Sequence, residues 1–290
     1  MATVVSSPPA LRQPQRPEGF PQHRSSPPPP LFQALGLAED PRRFRAAARC
    51  LRRSGLVVIQ GAVGPDELAA LQPVVAAARA HAASPAAGDG SARVLLNRGG
   101  QRAIRGYRRM VDSAKAVISV RDDEDGGMVD VFHPELLLES CTENVVGALQ
   151  DSLVTGLLER AFRRPFRVHV RNLYLNAGVT TTRGLHTDGG GIKAKAFLYL
   201  SDVTSLAEGP FCYVPGSHRM PWLRGLNRLC NARRGRRRDD CPILLGLKPI
   251  PVFCRAGDMV VAMQQGVHRG HPQAPWAERA VLLSMLQPSG

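Results

Sequence analysis

Leu185-His186-Thr187-Asp188 decides how this chain reads. The tetrapeptide follows a strand-like run, Val168 to Asn176, and a glycine, Gly184. In an extended strand, side chains two apart share a face. His186 and Asp188 therefore converge while Thr187 turns away. One imidazole and one carboxylate make two-thirds of a 2-His-1-carboxylate facial triad, the set that favours non-haem Fe(II) and leaves coordination positions open. A lone His-x-Asp is more often a surface loop, so the reading rests on what else the chain supplies.

Downstream, Ala256-Gly257-Asp258 turns into an apolar strand, Met259 to Met263, and Val267-His268-Arg269-Gly270-His271 follows. His268 and His271 are both open as a third ligand. The other histidines suit structural roles: His81 ends a helix, where the dipole favours an imidazole, His133 precedes a proline in a turn, and His169 sits in a strand. Arg279 opens the last apolar strand and shares a face with Val281 and Leu283. An unpaired buried guanidinium costs about 3–5 kcal/mol. No acid in the neighbouring strands is an obvious mate, and a bound dicarboxylate matches the guanidinium fork.

The rest of the chain frames this stretch. Residues 1–30 hold nine prolines and a single acid, Glu18. Such a run cannot build a core, and residues 1–38 are expected to be disordered or polyproline II. Its Arg and Ser content is compatible with organelle targeting, but its prolines oppose the amphipathic helix of a transit peptide. Pro41 to Arg53 reads as a helix with Asp40 as N-cap and Ser54-Gly55 as its end. Leu56 to Gln60 is a buried strand. Pro65 to His81 is a second helix, which Pro73 should kink or break. Ser84 to Gly90 reads as a linker and Asp122 to Gly127 as an acidic turn. Met128 to Phe132 alternates like a strand, and Pro134 to Glu159 is mostly helical. After Pro165 the period becomes two. Helices first and strands after predict an α+β chain: a jelly-roll core in residues 39–290, with helices from the N-terminal half packed outside it.

Arg224 to Asp240 interrupts the strands with seven arginines. It reads as a solvated surface loop, with an anion-binding lid or a nucleic-acid patch as the sharper alternatives. The aromatics that a single-strand nucleic-acid groove uses for stacking are missing. The net charge of +14 attracts anionic partners such as CoA esters or phosphates. A G+C-rich codon bias, writing Arg for Lys, accounts for much of it. The six cysteines form no C-x-x-C pair, which fits free thiols in a reducing, intracellular, cytoplasmic setting. No uncharged apolar run approaches the ~20 residues of a transmembrane helix.

Taken in order, His186-x-Asp188, Gly209-Pro210-Phe211-Cys212-Tyr213-Val214-Pro215-Gly216-Ser217-His218, Gly257-Asp258, His268, and Arg279 eleven residues later resemble the phytanoyl-CoA dioxygenase family of Fe(II)/2-oxoglutarate oxygenases. Gly55 to Gly61 with Pro65-Asp66-Glu67-Leu68 is similar to that family's opening strand and helix. The resemblance spans residues 50–290. It implies a double-stranded β-helix (cupin-like), iron on His186, Asp188 and His268, and 2-oxoglutarate on Arg279. It chooses His268 over His271 by the spacing to Arg279, and makes His218 part of a turn.

The activity so implied takes Fe(II), 2-oxoglutarate and O₂. It hydroxylates an unactivated C–H of a small-molecule or acyl substrate as 2-oxoglutarate is decarboxylated to succinate. Asp188 favours hydroxylation, because related halogenases lack that carboxylate. Many such enzymes carry Ser or Thr two residues after the arginine, where this chain has Val281. Asn172, Tyr174 and Asn176 alternate beside the metal motif, either as pocket lining or as an outward polar face. Lys193 and Lys195 either reach an anionic cosubstrate or belong to a solvated face. Two other classes compete: a non-oxidative jelly-roll metalloprotein, and a basic anion- or nucleic-acid-binding protein with a vestigial metal site.

Overall fold

The structure, a computed structural model, describes residues 29–83, 94–98, 107–121 and 125–290. Among these, nine strands form one large sheet and three form a smaller one. The strands are β1 (Leu31–Gln33), β2 (Leu56–Gln60), β3 (Val94–Arg98), β4 (Ala116–Val120), β5 (Met128–Phe132), β6 (Phe166–Ala177), β7 (Ala194–Tyr199), β8 (Phe211–Tyr213), β9 (Ile250–Val252), β10 (Met259–Met263), β11 (His268–Gly270) and β12 (Glu278–Pro288). The large sheet runs β1-β2-β10-β7-β12-β6-β5-β4-β3, and the small one β11-β8-β9.

The helices precede and flank these strands: α1 (Pro41–Ser54), α2 (Pro65–Ala83), α3 (Tyr107–Val111), α4 (Thr142–Ala148), α5 (Asp151–Phe162) and α6 (Pro221–Arg233). Asp40 caps α1 by accepting from the Arg42 and Arg43 N–H groups at 2.8 and 3.1 Å, which satisfies donors that the helix cannot. Gly55 ends it in the left-handed region, φ 78°, which glycine enters without a Cβ penalty.

In the large sheet β10 is apolar throughout and β2 nearly so, because both faces are covered. Val57 and Ile59, Met259 and Val261, and Ala280 and Leu282 face a core shared with α1, α2, α4 and α5. Their alternates, Leu56 and Val58, Val260, and Val281 and Leu283, face the small sheet through Phe211, Tyr213, Ile250 and Val252. Two sheets stacked with helices on one outer face match the jelly-roll expectation.

Three expectations need correcting. The ordered chain begins before residue 39: β1 pairs in parallel with β2, and the Val58 N–H donates to the Pro30 carbonyl at 2.9 Å. Residues 1–28 and the linker Ser84–Gly90 lie outside the described residues. Pro73 does not break α2, which continues as one helix to Ala83. Pro73 is on the solvent face, while Leu71, Val74, Val75 and Ala78 hold both halves against the core. Finally, the first part of the Arg-rich segment is helix α6 rather than loop. Leu223, Asn227 and Asn231, one turn apart, form its buried face. Asn227 bonds the Ile243 carbonyl and Asn231 the Arg237 and Asp240 carbonyls.

Candidate metal centre

The His-x-Asp stretch lies between the sheets, tied on both sides. The His186 N–H donates to the His268 carbonyl and the His268 N–H to the His186 carbonyl, each at 2.9 Å. The Asp188 N–H donates to the Gln264 carbonyl at 2.9 Å, and the Cys241 N–H to the Leu185 carbonyl at 2.7 Å. A segment remote in sequence therefore sets the spacing of these side chains.

Each histidine is oriented in the same way. Carbonyl oxygens only accept, so Nδ1 of His186 carries the proton that meets the Gly184 oxygen at 2.8 Å. Nδ1 of His268 does the same with the Gly266 oxygen at 2.9 Å. Both Nε2 lone pairs then point at Asp188, 3.7 Å from its Oδ1 and Oδ2 respectively. Second-partner bonds of this kind fix the tautomer of metal-binding imidazoles. One ligand atom from each of His186, Asp188 and His268 lies within 4.8 Å of the others.

Electrostatics keep the donors in ligand form. Burial, reinforced by His268, pushes His186 down to about 4. Burial also lowers His268, so both rings are neutral near neutrality. Burial opposes the charge on Asp188, but Lys195 and the imidazoles outweigh it and hold the carboxyl well below the usual range. Two neutral imidazoles and a carboxylate with converging lone pairs fit a divalent transition metal. Lys195, read either as a contact to an anionic cosubstrate or as part of a solvated face, is half-buried and donates to Asp188 Oδ2 at 2.7 Å. Lys193 is exposed at the cavity rim.

The three side chains open into a cavity of about 700 Å³ that Arg279 also lines. Arg279 donates through Nη1 to the Gly209 carbonyl. Its buried Nε has no partner, and no salt bridge among the described residues includes it. Asn176 stands directly opposite Arg279 in the β6–β12 register, and Tyr174 opposite Val281. Both line the cavity. The Asn176 Oδ1 is buried without a partner. Of the Asn172-Tyr174-Asn176 alternation, Tyr174 and Asn176 line the cavity and Asn172 does not. Asn172 sits behind the wall and donates to Asp130 Oδ1 at 2.7 Å.

Other histidines are elsewhere. His218 is buried and donates through Nε2 to the Arg52 carbonyl at 3.1 Å. His271 Nδ1 meets the Pro272 carbonyl. Sequence reasoning missed Asp130, Arg121 and Arg183, which also line the cavity. Arg121 bridges Asp125 and Asp130, and Arg183 grips Asp239 and Asp240 at 2.7 Å each. Asp130 gave a usable signal, an acid inside the apolar run Met128 to Phe132. The Arg183 pairings cross between distant segments and left none, while Arg121 pairs with near neighbours, Asp125 and Asp130.

No family model matches the chain, and no curated protein matches it. Solved structures do. The epimerase SnoN from nogalamycin biosynthesis, in complex with Fe3+, alpha ketoglutarate and nogalamycin RO, is 17% identical over 86% of this chain and 85% of its own, with a TM-score of 0.56. The non-heme alpha ketoglutarate dependent carbocyclase SnoK from the same biosynthesis is 18% identical over 84% and 83%, with a TM-score of 0.55. HygX from Streptomyces hygroscopicus, with nickel, 2-oxoglutarate and hygromycin B bound, is 16% identical over 84% and 87%, with a TM-score of 0.53. The shared fold is the double-stranded β-helix. At such identities the likeness speaks to fold, and chemistry has to be argued from the side chains. No helix among the described residues is long and apolar enough to cross a membrane.

Proposed function

We propose that this chain is an Fe(II)- and 2-oxoglutarate-dependent oxygenase of the phytanoyl-CoA dioxygenase type that hydroxylates an unactivated C–H of a small-molecule substrate. The observation that carries the reading is the pairing, in one cavity, of the His186-Asp188-His268 cluster with a buried arginine whose Nε lacks a partner. A non-oxidative metalloprotein has no use for that arginine. The solved structures of like fold with iron or nickel and 2-oxoglutarate support the same cofactors.

In this reading His186, Asp188 and His268 hold the metal, and Arg279 holds the distal carboxylate of 2-oxoglutarate. Bound iron with 2-oxoglutarate and O₂ would supply the oxidising power for breaking a C–H bond. The chain's residues supply position. Lys195 fixes the Asp188 carboxylate by occupying Oδ2, which turns Oδ1 toward His186 Nε2. The Gly209 carbonyl anchors one arm of the Arg279 guanidinium and leaves Nε for a carboxylate oxygen. Tyr174 and Asn176 line the cavity opposite Val281 and Arg279, where a phenol and an amide offer polar contacts to the cosubstrate. Burial pushes the Tyr174 phenol well up, so it stays a neutral donor.

The reaction outcome is the finer part of the proposal. The structures of like fold include proteins named as an epimerase and a carbocyclase, so the fold alone does not choose the outcome. Hydroxylation is the reading tested first. The experiment is succinate formation from 2-oxoglutarate, with and without Fe(II), by the wild type and His186→Ala. Iron-dependent succinate from the wild type alone is expected. Absence of iron-dependent turnover, even uncoupled from substrate, overturns the reading.

A further inference from the structure

A second concave site lies on the far side of the Gly189-Gly190-Gly191 loop from the metal cluster. It is a cleft of about 310 Å³, and its wall contains Arg52, Arg219 and Arg224, with Gly190, Ile192 and Gln265. The three arginines come from separate elements: the end of α1, the 3-10 turn Ser217–Arg219, and the first turns of α6. Arg228, one turn further along α6, brings Nη2 to within 3.4 Å of where a Cβ on Gly190 would sit.

No acidic residue lines this cleft. Among the described residues, none of these four arginines forms a salt bridge, whereas Arg121, Arg171 and Arg183 all do. Arg224 is half-buried, and its Nη1 is aimed by the His218 and Gln265 carbonyls at 3.4 and 3.1 Å. Its charge is disfavoured by burial and then by Arg228. Four like charges gathered round a hollow are mutually destabilising until an anion compensates them.

Two further features point inward. Gln265 is only 6% exposed. Its Oε1 accepts from the Lys193 N–H at 3.5 Å, and its NH₂, on the cleft wall, has no partner among the described residues. The N-terminus of α6 also opens here, with no acid in its first turn and no side-chain cap, so its positive dipole end is uncompensated. His218 adds no charge, because burial pushes its pKa down to about 4, and its Nε2 donates to the Arg52 carbonyl.

We propose that this cleft is a binding site for a tetrahedral oxyanion of the phosphate class. Arginines from three elements round one cleft, with Gln265 in its wall, match an acceptor that presents oxygens in several directions. A carboxylate, with two oxygens in one plane, is satisfied by a single fork. The volume is at the small end for ligand pockets and suits a phosphate or pyrophosphate group. That group is either a free anion or the charged handle of a larger molecule. The glycine loop between the cleft and Asp188 makes either one a neighbour of the metal cluster. This inference is independent of the iron chemistry.

The test is calorimetric titration of the full chain with inorganic phosphate, pyrophosphate and phenyl phosphate at constant ionic strength. Three proteins are compared: wild type, Arg52→Gln/Arg219→Gln, and the charge-matched control Arg234→Gln/Arg236→Gln in the exposed turn after α6. The substituted side chains are all exposed, so the fold should tolerate both pairs. Saturable one-site binding is expected in the wild type and the control, weakened at least ~10-fold in the cleft variant, as expected for loss of a charge-assisted hydrogen bond. Phenyl phosphate binding as well as phosphate marks a substrate-borne group, and its exclusion marks a free anion. Absence of saturable binding to the wild type, or equal weakening in both double variants, overturns the proposal.

Discussion

His186 and His268 exchange both backbone hydrogen bonds, N–H to C=O in each direction at 2.9 Å, so residues 82 apart in sequence are a strict cross-strand pair. Their rings lie 4.6 Å apart between centroids. The backbone frame stays when either imidazole is removed. His186→Ala and His268→Ala should therefore keep the fold and lose the metal. The expected loss of Fe(II) or Ni(II) affinity exceeds the ~10–100-fold typical of deleting an outer-shell partner. His271→Ala should bind as the wild type does, because that ring is turned to the Pro272 carbonyl. Titration of the three variants decides this. Metal loss in His271→Ala with retention in His268→Ala would reverse the assignment.

Gly266 positions His268 from behind, because its carbonyl holds the Nδ1 proton. A Cβ there would sit 2.9 Å from Cε2 of Tyr213 and closer still to its Cζ and Oη. That ring is fully buried and donates to the Met263 carbonyl at 3.1 Å, so it has nowhere to retreat. Gly266→Ala is expected to cost about 1–3 kcal/mol in a urea melt, as overpacked cores do, and to weaken metal binding together with stability. A stable variant with full metal affinity would show that the Gly266 carbonyl does not set the ring.

How far the sequence carried this reading depends on the range of the interaction involved. The start and end of α1 were legible at Asp40, Pro41 and Gly55, because capping is chemistry between near neighbours. The His186-x-Asp188 face and the exposed demand of Arg279 were legible for a similar reason, since period two and charge burial are local rules. Pro73 misled because its effect depends on which side of α2 meets the core. Residues 224–233 misled because α6 is anchored by Asn227 and Asn231, polar residues whose partners lie in the following loop. The Lys195–Asp188 pair left no signal in the sequence, since the two residues are brought together only when β7 aligns beside the metal motif. Asp130 was visible as an acid in an apolar strand, but its partners are Arg121, just past the end of β4, and Asn172 in β6.

His133 sits in the left-handed region, φ 56°, with Nε2 at 2.9 Å from the Val111 carbonyl and Nδ1 at 3.6 Å from Glu135 Oε1. The Glu135 bond, helped by the Val111 carbonyl and opposed by burial, raises its pKa above 6.5. A raised folded-state pKa stabilises fully below the unfolded value and is lost as pH rises through the folded one. His133→Asn removes the titration and keeps a residue that tolerates this backbone. The stability difference between wild type and variant should be largest below about pH 6.5 and shrink as pH rises above it. Melting both proteins on either side of that pH measures it, and a difference that grows with pH would contradict the sign.

Val281 occupies the position where many enzymes of the resembled family have a hydroxyl donor. It is 4% exposed, lines the same cavity as Arg279 and stands opposite Tyr174 and Tyr199 in register. Threonine has nearly the shape of valine, so Val281→Thr tests the carboxylate site with little steric change. If a 2-oxoglutarate carboxylate reaches Arg279, the new hydroxyl meets an acceptor and gains about 1.5–3 kcal/mol, the value of a hydrogen bond to a charged group. The KM for 2-oxoglutarate should then fall about 10-fold or more with kcat little changed, while Arg279→Gln should raise KM by a similar or larger factor. If no carboxylate comes there, the hydroxyl is buried without a partner at a cost of about 1–3 kcal/mol. Val281→Thr would then melt earlier and leave KM where it was. The two outcomes move different observables, so one variant separates a cosubstrate pocket from an arginine that merely braces the Gly209 turn.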